Sequence, residues 1–445
     1  MTLAILLVFV IGYLLIALEH NVKIDKAAPA LITGVICWTI YIMLTPKTPH
    51  FIVHELYEYL GEVSGVLFFL LGAMTIVELI DAHEGFEVIT GRITTQKQVM
   101  LLWVICWLTF FLSAALDNLT TTIVMISILR KLVKNAEKRM FFVGMVVIAA
   151  NAGGAWSPIG DVTTTMLWIG SQVTAGNIVS TLIIPSLVCM IIPLAIASAS
   201  ISGRFSRPKN KKAKSGGSIS PSMTFGSTGV SLKPAEVKMV TKSEQYLILI
   251  LGVSALLFVP IFKTITHLPP FMGILLGLGV LWLVTEVLHK DKHNEAKDPL
   301  SVIGVLRRVD VPSVLFFFGI LIAISSLQAT GMLKMLAAWL DQSFGDIYLI
   351  GLVLGLLSAI VDNVPLVAAS MGMYDLIRYP VDHVFWEFIA YCAGTGGSAL
   401  IIGSAAGVAA MGMEKIPFGW YLKKISWLAV IGYFAGAFAY ILLEG

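Results

Sequence analysis

Long apolar runs separated by short polar segments dominate the chain from one end to the other. Because the hydrocarbon core of a bilayer is about 30 Å thick, a spanning helix needs roughly 20 mostly apolar residues. The first run lacks the basic leader of a secretion signal, so we interpret it as a helix. The pattern predicts spanning helices at 2–18, 28–46, 63–81, 140–170, 178–203, 246–263, 270–288, 311–327, 382–411 and 425–443.

The composition supports a membrane protein. Hydrophobic residues make up 57% of the 445 residues and charged residues only 13%, whereas soluble proteins carry about 25% charged residues. This excludes an ordinary soluble enzyme, a nucleic-acid binder and a disordered protein, and the net charge of +3 is too small to indicate a polyanionic partner. The four cysteines lie inside apolar runs, which is typical of core residues rather than disulfides or metal ligands, and no cofactor is predicted. We therefore expect an all-α polytopic membrane protein.

The two halves of the chain resemble each other. The segment SAALDN at 113–118 matches SAIVDN at 358–363, and NAGG at 151–154 corresponds to GTGG at 394–397. The matches occur in the same order at nearly the same offset, which favours an internal duplication over chance similarity among apolar helices.

We expect each half to contain five spanning helices, one of them unwound, and one re-entrant hairpin. An odd number of crossings inverts the second half relative to the first, and inverted repeats with interrupted helices are typical of secondary transporters. The first repeat is 1–203, with its hairpin at 98–133 and its broken helix at 140–170; the second is 246–445, with the corresponding elements at 346–378 and 382–411.

The segment 204–245 joins the repeats and is rich in Lys, Arg, Ser and Gly. Its basic residues predict a cytoplasmic position, so the protein is expected in the inner (plasma) membrane. It is interpreted as a solvated flexible linker, with a patch for lipid headgroups or regulation as the alternative. The acidic segment 50–62 carries no Lys or Arg and suits the outer face.

Polar residues interrupt both predicted hairpins. Asp117 and Asn118 are followed by three threonines between two apolar runs, and Asp362 and Asn363 occupy the matching place in the second half, with Ser358 before them. A charged Asp at the bilayer centre costs about 2.5–3.5 kcal/mol, so it needs a partner or a function. Hairpins entering from opposite faces would bring their tips together near the midplane. The alternative is a polar cluster that only fixes hairpin geometry.

The broken helix NAGGAWSPIGDVTTTM at 151–166 carries a third acid, Asp161, together with three glycines, a proline and three threonines. Its counterpart at 392–407 offers hydroxyl groups but no acid, and its glycines have helix packing as the simpler explanation. Carboxylate, amide and hydroxyl oxygens together suit a hard cation such as Na⁺.

These motifs resemble those of the NhaD-type sodium/proton antiporters, a family of the ion transporter superfamily that also contains dicarboxylate and arsenite carriers. The most specific segments are MTIVELIDAH at 74–83, SAALDNLTTT at 113–122 and NAGGAWSPIGDVTTTM, and the similarity covers nearly the whole chain. The resemblance implies inverted repeats with a hairpin and an unwound helix each, and a homodimer. Pro365 stands where the first half has Thr120, which leaves a second equivalent cation site open.

The residue pattern and the resemblance together define a set of oxygen-bearing side chains at the hairpin tips and the broken helix. The candidate cation- and proton-binding residues are Ser113, Asp117, Asn118, Thr120, Thr121, Asn151, Asp161, Thr163, Thr164, Ser358, Asp362 and Asn363. Within this set, Na⁺ is expected at Asp117, Asn118, Asp362 and Asn363. Glu62, Glu78 and His83 are candidates for a proton pathway, with ordinary solvated or interfacial positions as the alternative.

The function that these features favour is exchange of Na⁺ or Li⁺ for H⁺, since burial and a second nearby acid let protons compete with a cation for one carboxylate. The partners expected are monovalent cations, protons and the lipid bilayer, with no nucleic acid. The alternative is Na⁺-coupled symport of an organic anion such as a dicarboxylate, although acids at both tips would repel an anion. A channel or receptor is less favoured, and an enzyme least, because no nucleophile–base pair or metal-ligand motif stands out.

Overall fold

The computed structural model describes residues 1–17, 19, 24–90, 95–204, 240–290 and 298–444. Most of the predicted linker 204–245 therefore lies outside the described residues. Within them, helices are the regular structure, apart from one isolated bridge between Lys97 and Arg204.

The helices lie in chain order on either side of the segment 205–239. In the first half they are α1 (Thr2–Ala17), α2 (Ala27–Leu44), α3 (Pro49–Ala82), α4 (Gly85–Thr90), α5 (Gln98–Leu116), α6 (Asn118–Leu132), α7 (Ala136–Ala155), α8 (Val162–Ile169) and α9 (Ala175–Ser200). In the second half they are α10 (Lys242–Thr266), α11 (Pro270–Leu288), α12 (Val302–Leu306), α13 (Val311–Ala329), α14 (Met332–Phe344), α15 (Ile347–Leu357), α16 (Asn363–Met373), α17 (Val384–Gly396), α18 (Ala405–Glu414) and α19 (Phe418–Glu444).

Eight helices of the described part of the chain are long and apolar enough to cross a membrane: α2, α3, α5, α9, α10, α11, α13 and α19. The pair α14 and α15, bent by 118° at its break, would count as a ninth span if taken as one. A helix satisfies its own backbone hydrogen bonds, which is what a segment needs in lipid. The all-helical architecture and these apolar spans are those of a polytopic membrane protein, as predicted.

Two predicted elements have different bounds in the structure. The acidic segment 50–62, expected to precede a helix at 63–81, is instead the first part of α3, which runs for 34 residues. At 1.5 Å per residue this helix is about 50 Å long, so one end extends beyond a bilayer core. The broken helices predicted at 140–170 and 382–411 are each divided in the structure too, into α7 and α8 and into α17 and α18.

The centre of the molecule is formed by α7 and α17, in which every residue of 142–155 and 385–396 is buried. Around them α5 packs on α7, α15 packs on α17, and α9 packs against α19. The helices α2 and α13 approach most closely at Gly34 and Gly319, where a Cβ atom on Gly319 would lie 2.5 Å from the backbone nitrogen of Leu31. Small residues at that crossing let the two backbones touch.

Candidate ion-binding site

Four helices begin inside the protein at a side chain that caps their N-terminus. Asp117 caps α6, Asp161 caps α8, Asp362 caps α16 and Ser404 caps α18, each accepting a hydrogen bond from a backbone N–H of the first turn. The first N–H groups of a helix have no partner within it, and the positive end of its dipole favours an anion. Each half therefore contributes two electropositive helix ends, and three of the four caps are acidic.

Asp161 lies at the centre of a hydrogen-bond network and is only 1% exposed. Its Oδ1 accepts from the backbone N–H and the hydroxyl of Thr163, at 2.9 and 2.7 Å. Its Oδ2 accepts from Asn118 Nδ2 at 2.7 Å, and Asn363 Nδ2 lies 3.4 Å from both carboxylate oxygens. One buried carboxylate thus receives amide donors from the first residues of both α6 and α16.

Asn151 extends this network to the second broken helix. Its Oδ1 accepts from Asn118 Nδ2 at 3.1 Å, and its Nδ2 donates to the hydroxyl oxygens of Ser398 and Ser404, each at 2.9 Å. The network therefore joins α6, α7 and α8 of the first half to α16 and α18 of the second half.

Asp117 has its own partners beside this network. Its Oδ1 accepts from the backbone N–H of Thr120 at 2.7 Å, and its Oδ2 from the Thr120 hydroxyl at 2.8 Å. Its backbone has φ 107° and ψ 161°, a region that is essentially confined to glycine. Such a conformation in a non-glycine residue costs of the order of 1–3 kcal/mol, and strained residues of this kind cluster at functional sites.

Asp362 is paired with a lysine rather than with the other two acids. Lys26 Nζ lies 3.2 Å from Asp362 Oδ2 and 4.1 Å from the centroid of the Phe316 ring. The four residues expected to hold Na⁺ therefore have different partners in this structure: Asn118 and Asn363 contact Asp161, while Asp117 and Asp362 do not share a hydrogen bond with each other among the described contacts.

Several predicted site residues donate hydrogen bonds from their hydroxyl groups to backbone carbonyl oxygens. Ser113 donates to the carbonyl of Ala150 at 2.6 Å, and Ser358 donates to the carbonyls of Gly355 and Ala393 at 2.7 and 3.2 Å. Thr164 donates to the carbonyl of Gly154 at 3.4 Å.

Two threonines at the start of α6 have hydroxyl groups that make no hydrogen bond among the described residues. Thr121 and Thr122 are fully buried, and their Oγ1 atoms have no hydrogen-bond partner in the part of the chain that the structure describes. Burying a hydroxyl group without a hydrogen bond costs free energy, so these oxygen atoms are suited to act as ligands of a cation.

The three residues proposed for a proton pathway have partners elsewhere. Glu78 lies 3.7 Å from Arg308 Nη1, and His83 Nε2 lies 2.8 Å from His289 Nε2. Glu62 lines a cavity of about 570 Å³. None of these contacts joins them to Asp161, so their place in a pathway stays a prediction.

A second cavity of about 570 Å³ leads to Asp362 and Lys26 and is also lined by Glu19 and Asp25. This cavity adjoins one edge of the site. Over the described residues, no group of three or more His, Cys, Asp or Glu side chains is placed to hold a metal ion.

Three residues of the network were not among the predicted site residues: Lys26, Ser398 and Ser404. A lysine next to an apolar run is ordinarily an interfacial residue, so nothing in the local pattern marks Lys26. Ser404 had a usable signal, because it follows Asp161 by 243 residues, the same offset as between NAGG and GTGG.

Interrupted helices whose N-termini meet at buried polar side chains, inside a bundle of apolar spans, define the class of multi-pass membrane transporters. Comparisons with known proteins agree with this class. A family model described as a citrate transporter (CitMHS) matches residues 13–386.

The chain is 48% identical to sodium/proton antiporter 1 of Arabidopsis thaliana, over 98% of this chain and 72% of the relative. It is 46% identical to sodium/proton antiporter 2 of the same plant, over 98% of both chains. It is 28% identical to the Na⁺/H⁺ antiporter NhaD of Alkalimonas amylolytica, over 98% of this chain and 89% of the relative. The chain belongs to the NhaD-type sodium/proton antiporter family, within the wider group that the citrate-transporter model describes.

Proposed function

We propose that this protein exchanges Na⁺ for H⁺ across its membrane, with Asp161 as the carboxylate for which the two ions compete. The observation that carries the proposal is that Asp161 is buried and receives the amide groups of both Asn118 and Asn363. Each half of the protein therefore has a direct contact with the same carboxylate, which places Asp161 at the interface of the halves, where secondary transporters bind their ions.

The chemistry of the site suits this competition. A buried carboxylate is costly when charged, so it is stabilised either by a proton or by a cation. When Na⁺ replaces the proton, Asn118 and Asn363 can each turn a carbonyl oxygen toward it, since an amide carries both an acceptor and a donor. The hydroxyl oxygen of Thr163, which lies 2.7 Å from Asp161 Oδ1, adds a further hard ligand. The same oxygen set suits Li⁺.

We infer further that residues 1–203 and 246–445 are inverted repeats, each with a re-entrant hairpin: α5 with α6, and α15 with α16. Matched contacts support this. Ser113 donates to the carbonyl of Ala150 as Ser358 does to that of Ala393. At the helix level, α2 packs on α13 as α3 packs on α11. In this arrangement the basic linker is cytoplasmic, and the protein resides in the plasma membrane as a homodimer.

The citrate of the wider family's description does not fit this site. Asp117 and Asp161 each lack a basic partner within ion-pair distance among the described residues, and the lysine at Asp362 is already paired. A polycarboxylate would face uncompensated negative charge there.

The activity has a direct test in everted membrane vesicles that hold a preformed pH gradient. We expect added Na⁺ or Li⁺ to dissipate the gradient, and more strongly at alkaline pH, where protons compete less for the carboxylate. Vesicles without the protein are the control. Failure of both cations from neutral to alkaline pH, together with uptake of a dicarboxylate, would contradict the proposal.

The topology can be tested by thiol labelling without altering the protein elsewhere, because all four native cysteines are buried. We expect Ser222→Cys, in the linker, to react only from the cytoplasmic side, and Glu58→Cys, at an exposed position of α3, only from outside. Labelling of both from one face would mean that the inverted-repeat count is wrong.

A further inference from the structure

Lys26 is held at the edge of the ion site by two contacts. Its ammonium group lies 3.2 Å from Asp362 Oδ2 and 4.1 Å from the centre of the Phe316 ring, and its side chain is only 18% exposed. A carboxylate and an aromatic face are both attractive to a cation. The ammonium group therefore occupies a place where a small metal cation would also be stabilised.

Neither the cap nor the dipole of α2 favours a lysine at this position. Lys26 directly precedes the helix, and the positive end of the helix dipole disfavours a cation at that position. Asp25 already accepts a hydrogen bond from the first turn of α2, since its Oδ1 lies 2.8 Å from the backbone nitrogen of Ala27. The contact with Asp362, which lies 336 residues away, is what stabilises Lys26 in this place.

The two halves differ at this point. Asp117 and Asp362 are matched residues of SAALDN and SAIVDN, but the hydrogen-bond donors at Asp117 are neutral groups of Leu119 and Thr120. The residue before α2 is Lys26, whereas the residue before the matching helix α11 is Pro269. A built-in cation is therefore present at the second carboxylate and not at the first.

We propose that Lys26 fills the second cation site of the duplicated architecture, so that the protein binds one Na⁺ per protomer, at the Asp117–Asp161 side. This inference rests on the proposed exchange of Na⁺ for H⁺. A tethered ammonium group has a high effective concentration at its carboxylate, so free Na⁺ competes poorly for Asp362. The cavity that reaches Lys26 and Asp362 means that ions have access to the site if the lysine is removed.

The test counts bound ions by equilibrium binding of radioactive Na⁺ to the purified protein. We expect one Na⁺ per protomer in the wild type and two in Lys26→Gln. The matched control Lys26→Arg retains the positive charge and should still bind one. The double variant Lys26→Gln, Asp362→Asn removes both charges of the pair, and it should also bind one.

Each outcome bears on the inference. Two ions in the wild type, or one in folded Lys26→Gln, would overturn it. If Lys26→Gln does not purify, Lys26→Ala replaces it, with two bound ions expected and one overturning the inference. The double variant tests the position of the single Na⁺: one bound ion is expected, and none would place the transported Na⁺ at Asp362 and overturn the inference. Absence of Na⁺ binding in the wild type and in every variant would instead refute the proposed exchange itself.

Discussion

Asp161→Asn is expected to abolish Na⁺-driven proton movement in protein that still inserts and purifies. Asparagine keeps the size of the side chain and an oxygen that can accept from Thr163, so the cap of α8 survives. It removes the charge and the proton site for which Na⁺ and H⁺ compete. A hydrogen bond to a charged group contributes up to about 3 kcal/mol, which corresponds to roughly a 100-fold change in ion affinity. We therefore expect the exchange rate in proteoliposomes to fall at least about 100-fold.

The matched control is Ser404→Ala, at the corresponding cap of the second half. It removes a hydroxyl that accepts from Asn151 and from the backbone of α18, but no titratable group. Loss of an N-cap costs about 1 kcal/mol, so exchange should decline by less than about tenfold. Exchange at the wild-type rate in Asp161→Asn would move the proton site to Asp117 or Asp362.

The spanning helices were largely predictable because lipid imposes a simple requirement on length and polarity. Hydropathy did not locate the N-terminal end of α3. Its acidic first turns look like a loop in the hydropathy pattern, but a helix can continue into water with the same backbone hydrogen bonds. Hydropathy therefore locates the membrane part of a helix better than it locates the end of the helix.

The acids of the site were predictable for a related reason. Asp117, Asp161 and Asp362 stand out because a charge within an apolar run needs an explanation. Their partners were not predictable, since these come from distant parts of the chain. Asn151 meets Ser398 and Ser404 across 247 and 253 residues, and no local pattern specifies such pairs.

The structure makes Asp161, rather than Asp117 or Asp362, the acid at the centre of the hydrogen-bond network. From the sequence, Asp117 and Asp362 form a symmetric pair at two hairpin tips, which suggests that they act together. In the structure the Asn residues that follow them donate to Asp161, so the first residues of α6 and α16 meet at the cap of α8. Contacts between the halves are made both by the Asn363 amide, at Asp161, and by the Asp362 carboxylate, at Lys26.

Asp117 offers a way to separate function from stability, because its backbone conformation is one that glycine adopts without cost. Asp117→Gly should relieve about 1–3 kcal/mol of backbone strain, while a glycine cap loses only a few tenths. We expect a higher melting temperature of the purified protein. Exchange should nevertheless fall at least about tenfold, since the carboxylate beside Thr120 and Thr121 is gone.

The control for this variant is Lys415→Gly, at an exposed residue with φ 52° that ends α18. Glycine is also preferred there, so this change should raise the melting temperature and leave exchange intact. Asp117→Asn, which keeps the volume and can still cap α6, should lose exchange without gaining stability. If Asp117 carries ions, both Asp117 variants lose exchange, and only the glycine variant becomes more stable. Undiminished exchange in a stabilised Asp117→Gly would contradict this role. The carboxylate would then serve only to shape the turn between α5 and α6.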